Sequence, residues 1–263
     1  MRVRSILLTA VGALALVLPA GAAVKKVAYP EVKVEVLPAY KPDAAFEVMR
    51  KALSDAVAKK DAPALFALVG PTFLWTYQGG PIDQFDMGRD ALHNFKVLFG
   101  FRPPGADADG PVENGPFWEA LGAFADDATL YQATEFGNLV CGPIAANVVD
   151  DGVYEQARKR VEPSDEAADW YFTLAPTQVA KAPGDTGTPV ARVGTVALPA
   201  LSTVPKPEEG KPPKPATHIE VLLPSGKTGW IPAGAMRPLA SERLCYAKTQ
   251  GGDWKIAAYD QTE

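Results

Sequence analysis

The chain has 263 residues, 47% hydrophobic and 22% charged, enough apolar material for one large domain or two smaller ones. A formal charge of −5 and a pI near 5.2 argue against a nucleic-acid binder, which shows a basic face. Two His and two Cys leave little for a metal site. Gly (23) and Pro (25) together exceed the roughly 12% of average usage, so short elements and many turns are expected.

Residues 1–23 read as an export signal. Arg2 and Arg4 start it, Ile6 to Leu18 form its uncharged apolar run, and Pro19-Ala20-Gly21-Ala22-Ala23 supplies a small-residue cleavage site. The run is too short for a spanning helix, which needs about 20 residues, so a retained anchor is the lesser alternative. No Cys follows the cleavage site to take a lipid, and no later stretch is long enough to span a membrane. Cleavage leaves 24 basic and 31 acidic residues, a charge of −7. The expected location is the periplasm or the exterior.

Residues 24–42 form an extended lead-in in which Val32-Lys33-Val34-Glu35-Val36 alternates like a strand. A mainly helical domain is expected over 43–165. Asp43 caps a helix over 44–59 with Phe46, Met49, Leu53 and Val57 on one stripe, and Asp61 caps a second over 62–69. Phe73 to Tyr77 fits a short strand or a buried loop. Further helices are expected over 88–99, from Pro116 to Phe124 behind an Asn114 cap, and near Val153 to Arg160. Arg102 to Gly115 reads as a loop.

From Trp170 the texture changes. Trp170–Leu174, Val190–Leu198, Ile219–Leu223, Thr228–Ile231, Leu244–Lys248 and Trp254–Tyr259 are short apolar pieces between turn residues, the pattern of a small antiparallel β-barrel over 166–263. The stretch 204–216, rich in Pro, Lys and Glu, reads as an exposed polyproline-like loop. Pro224-Ser225-Gly226-Lys227 is a hairpin turn, and Gly226-Lys227-Thr228-Gly229-Trp230 forms a G-x-x-G-W motif.

With the strand-and-loop cadence of Val179 to Gly184, this motif resembles the bacterial SH3 (SH3b) domain of exported envelope proteins. Lys181 stands where that family often has Arg, and the Pro-rich insertion lengthens the usual loop. The resemblance covers about 169–260 and implies an SH3-like barrel, which behind the mainly helical amino-terminal domain makes an α+β protein. It also implies binding of a peptide, peptidoglycan or an envelope protein; no cofactor is expected.

Candidate site residues follow from chemistry. Cys141 and Cys245, lacking C-x-x-C spacing or a nearby His, form a disulfide candidate in an oxidising compartment, two buried thiols being the alternative. Strand alternation separates Cys245 from Leu244 and Tyr246. If those two enter the barrel core, Cys245 faces the helical domain and the bond staples the two domains. Trp230, with Tyr171 and Tyr246, could line a shallow ligand groove, or it could be a core residue. No Ser lies in G-x-S-x-G, and His93 and His218 have no evident partner for nucleophilic or zinc chemistry. The pairs Asp126-Asp127, Asp150-Asp151 and Glu208-Glu209 read as solvated or capping carboxylates. A non-catalytic binding protein is therefore the leading expectation. A cell-wall hydrolase with its site in the helical domain is the alternative, and a scaffold whose barrel is only a cap is a third.

Overall fold

The computed structural model describes residues 24–77, 90–101, 116–134, 137–162, 168–206 and 214–261, with only the backbone described at 76 and 77. The expected export signal, the Asn114 cap, the 102–115 loop and most of the Pro-rich stretch lie outside these residues.

The chain begins with β1 (Val32–Val36), α1 (Ala44–Ala58), α2 (Ala62–Phe66), β2 (Val69–Tyr77), α3 (Ala91–Leu98) and α4 (Trp118–Asp126). Three short strands follow, β3 (Tyr131–Ala133), β4 (Leu139–Gly142) and β5 (Ala146–Val148), then α5 (Asp151–Val161). Next come β6 (Trp170–Thr173), β7 (Thr177–Val179), β8 (Ala191–Val193), β9 (Val196–Val204), β10 (His218–Leu222) and β11 (Thr228–Pro232). A 3₁₀ turn, Ala233–Ala235, leads to β12 (Met236–Pro238), β13 (Glu242–Lys248) and β14 (Trp254–Gln261).

Four of the five described helices start behind a capping aspartate, whereas α4 has no side-chain cap. Asp43, Asp61, Asp90 and Asp150 each accept a backbone N–H from the residue three further on, satisfying a donor that the first turn leaves orphaned. In α1 the buried residues Phe46, Met49, Leu53 and Ala56 recur at helical spacing and lie against a sheet. That sheet has the order β2-β14-β13-β4-β3. Its helix-side core gathers Phe46, Leu53, Phe95, Leu121 and Phe124 from the helices with Leu244, Tyr246, Ile256 and Tyr259 from the last hairpin.

The second sheet has the path β11-β10-β9-β1-β5, with β6 bound to β9 and β12 to β6. Strand β1 pairs antiparallel with both β9 and β5, so the expected lead-in is an interior strand. A middle core, including Tyr29, Val34, Cys141, Trp170, Phe172 and Cys245, lies between the two sheets' elements. A third, smaller core of Val179, Leu198, Ile219, Val221, Ile231 and Met236 belongs to β6–β12.

The expected fold class is thus corrected. Among the described residues strand outweighs helix, 36% against 27%, and the amino-terminal part is not mainly helical. Nor do the described strands close into a barrel. The β7–β8 ribbon reaches β11 through a single bridge, Ala180 to Trp230, instead of a ladder. The hairpin β13–β14, expected in the barrel, lies in the first sheet, β13 antiparallel to β4 and β14 parallel to β2. The reason is physical. Leu244, Tyr246, Ile256 and Tyr259 complete a large aromatic core under α1, α3 and α4, and Cys245 and Ala258 on the opposite face meet the middle core. Both faces of the hairpin are therefore apolar, which suits an interior position.

Cys141 and Cys245 are disulfide-bonded. They are direct cross-strand partners on β4 and β13, with Cα atoms 4.0 Å apart and both side chains buried. The bond joins two neighbouring strands of one sheet across 104 residues of sequence.

Candidate functional site

Local backbone chemistry builds the site around the β10–β11 hairpin. Gly226 takes φ +80° in the turn, and Leu223 and Lys227 close it with a 2.8 Å hydrogen bond from the N–H of Leu223. Gly229 permits a close approach, since a Cβ there would strike the Val179 side chain and come within 3.0 Å of the Ala180 carbonyl. With that space free, Trp230 and Ala180 exchange two backbone hydrogen bonds of 2.9 Å. The G-x-x-G-W motif therefore has a distinct role at each end: one Gly for the turn, one for contact, and the Trp placed beside the 180–190 loop.

Alternation then sorts the hairpin's side chains. Ile219, Val221 and Ile231 enter the small core, while His218, Glu220 and Trp230 lie on the other face, half-buried. Glu220 is the cross-strand partner of Trp230 and accepts a 2.8 Å hydrogen bond from the Ser202 hydroxyl.

A groove of about 500 Å³ opens beside this face. One wall is His218, Trp230 and Pro232. The other is Pro176 to Gln178, Ala180 and the loop Gly184-Asp185-Thr186-Gly187-Thr188-Pro189. Asp185 shapes that loop by accepting the Gly187 N–H at 2.8 Å. The groove therefore has an indole and three proline rings for apolar contact, with hydroxyls, an amide and one carboxylate to orient a bound molecule.

Of the three aromatics proposed for a groove, only Trp230 lines this one. Tyr171 is buried in the small core, and burial together with the nearby Asp169 pushes its phenol well above the usual range. Tyr246 is buried under α1, edge-on to Phe46 with ring centroids 5.2 Å apart. Alternation located both tyrosines on strand faces but not the cores those faces join. Pro176, Thr177, Gln178, Asp185, Thr188, Pro189 and Pro232 escaped the sequence reading. The cluster of turn residues from Gly184 to Pro189 was the available signal for a groove wall.

The other candidates have ordinary surroundings. The backbone N–H of His93 donates to the Asp90 cap, and His218 belongs to the groove wall. Asp127 pairs with Arg237 at 2.8 Å, and Asp150 caps α5. Glu208 and Glu209 lie outside the described residues. Among the described residues no group of three or more His, Cys, Asp or Glu side chains is placed to hold a metal, and no helix is long and apolar enough to cross a membrane.

Comparisons of the chain with protein-family models, curated proteins and solved structures return no match.

Proposed function

We propose that the chain is an exported envelope protein that binds an extended peptide in the groove beside Trp230, and that residues 169–239 form an SH3b-like module serving this role. The carrying observation is the groove itself: a half-buried indole held between the β10–β11 hairpin and the 180–190 loop. A concave apolar surface with a few placed polar groups is the usual form of a ligand site. Further support comes from the order of elements: strand, short ribbon, long strand, hairpin, 3₁₀ turn and short strand, with the G-x-x-G-W motif inside the hairpin. Export is supported by the signal-like first 23 residues and by the buried disulfide, a bond that persists in oxidising compartments.

The test is binding of a panel of short extended peptides, including cell-wall stem peptides, to the wild type and to Trp230→Ala. The expected result is binding by the wild type that weakens about thirtyfold on loss of the indole, with the melting temperature little changed. Absence of binding to every peptide, or full binding by Trp230→Ala, overturns the reading.

A further inference from the structure

The groove beside Trp230 offers little backbone to an incoming strand. The N–H and C=O of Trp230 are both committed to Ala180, and Pro232, two residues further on, has no N–H to donate. Strand addition draws its affinity from such main-chain bonds, so a peptide here is recognised through its side chains. What those side chains meet is the Trp230 indole, the rings of Pro176, Pro189 and Pro232, and a few polar groups.

Around the indole the fixed charge has one sign. Asp185 is the one carboxylate lining the groove, and no Lys or Arg lines it. Asp185 stands exposed in the loop wall, where one of its oxygens accepts the Gly187 N–H. On the other side of the indole, Glu220 is the direct cross-strand partner of Trp230 and shares its face. Glu220 accepts from the Ser202 hydroxyl, which is neutral. Among the described residues neither carboxylate is paired with a Lys or Arg, whereas Asp127 is paired with Arg237 and Asp43 with Lys248. Register places the indole between the two: Glu220 is on β10, Trp230 on β11, and Asp185 in the loop after β7, whose end bridges to Trp230 at Ala180. Arg192 lies opposite Gln178 on β8, one strand further out, and is not part of the lining.

An aromatic ring attracts a cation to its face through its quadrupole, and more strongly where water is partly excluded. Two carboxylates without a cation of their own add to that attraction, and they repel an acidic side chain from the same place. We propose that the peptide taken by this groove carries a basic side chain, Lys or Arg, laid along the Trp230 indole with its charged head between Asp185 and Glu220. This inference rests on the reading that the groove binds an extended peptide, and it names the residue that the groove selects.

The test uses seven-residue peptides of Ala and Pro, blocked at both ends, with a single central Lys, acetyl-lysine or Glu. Acetylation keeps the side-chain stem and removes its charge, so the ratio of the two affinities isolates the ammonium. The wild type is expected to bind the Lys peptide about tenfold more tightly than the acetyl-lysine peptide, and the Glu peptide most weakly of the three. Raising the salt concentration should shrink that ratio. Asp185→Asn and Glu220→Gln should each lower it about threefold, and together bring it close to one. Asp185→Asn keeps an oxygen for the Gly187 N–H, and Glu220→Gln keeps one for Ser202, so the loop and the sheet face retain their hydrogen bonds. Trp230→Leu, which keeps an apolar side chain without a ring, should also lower the ratio.

Equal affinity of the wild type for the Lys and acetyl-lysine peptides, or a ratio indifferent to the paired carboxylate substitutions, overturns the proposal. If binding is blind to charge yet still weakened by Trp230→Ala, the selection of a basic residue falls while the groove's role stands. If neither these peptides nor the wider panel binds, both fall together.

Discussion

The hairpins β10–β11 and β13–β14 are built from similar alternating apolar pieces and have different surroundings. The first sends Ile219, Val221 and Ile231 into a small core and leaves His218, Glu220 and Trp230 on a face that borders a groove. The second is covered on both sides, by the helix-side core at Leu244, Tyr246 and Ile256 and by the middle core at Cys245 and Ala258. A hairpin enclosed on both faces serves as scaffold, whereas one with a free face can take on binding. Damage to β13–β14 should therefore lower stability first, and damage to the free face of β10–β11 should lower binding first.

The largest expected effect comes from the enclosed side. Phe46 is 1% exposed and meets Tyr246 and Trp254 edge-on, with both centroid distances at 5.2 Å. Phe46→Ala should cost about 3–5 kcal/mol through lost burial and a residual cavity, read from urea denaturation. Peptide affinity per folded molecule should stay unchanged. An equal loss of affinity would mean that the two regions are not separable.

Next is the disulfide, which closes a sequence separation of 104 residues in the unfolded chain. Replacing both Cys141 and Cys245 by Ala should cost about 2–5 kcal/mol, chiefly by releasing the unfolded ensemble. Denaturation of the double variant beside the oxidised wild type measures it. A cost near zero would show that the β4–β13 ladder alone sets the register of the last hairpin.

Gly229→Ala sharpens the contrast from the other side. The new Cβ would meet Val179 and the Ala180 carbonyl, and overpacking of this kind costs about 1–3 kcal/mol. The strain falls on the bridge between Ala180 and Trp230, so binding should drop further than stability alone predicts. Calorimetric titration on material still fully folded would separate the two. Unchanged affinity would mean that the bridge does not set the groove's width.

What the sequence makes legible is what neighbours along the chain decide. The Asp43 and Asp61 caps, the Phe46-Met49-Leu53 stripe and the Gly226 turn depend on residues a few positions apart, and all appear as expected. Strands β3, β4 and β5 span only three or four residues each, too few to establish a period, and pairing partners give them their strand geometry. The parallel pairing of β14 with β2 joins segments from opposite ends of the chain, which no local pattern encodes. The same holds for the groove. Gly229 and Trp230 stand out in the sequence, whereas Asp185 and Pro176, in the loops on either side of β7, gain meaning only when those loops are set against β11.

The smallest effect is the one with the clearest pH signature. Asp43 caps α1 and also accepts from Lys248 at 2.6 Å and from the Trp254 indole at 3.0 Å, so one exposed carboxylate joins the first helix to the last hairpin. The Lys248 ammonium, the Phe46 N–H and the indole hold its carboxyl down, from an ordinary value of 3.8 to about 2. A carboxyl whose folded value is depressed binds its proton more readily when unfolded. Its contribution is therefore complete above about pH 4 and is lost as pH falls through about 2. Asp43→Asn should flatten the acid slope of stability between those limits and leave stability at neutral pH only modestly lower, because Asn remains an adequate cap. Denaturation curves for both proteins from pH 6 to 2 would show it. Parallel curves would mean that Asp43 is already satisfied by solvent, and that other carboxylates carry the acid sensitivity of the junction between α1 and β13–β14.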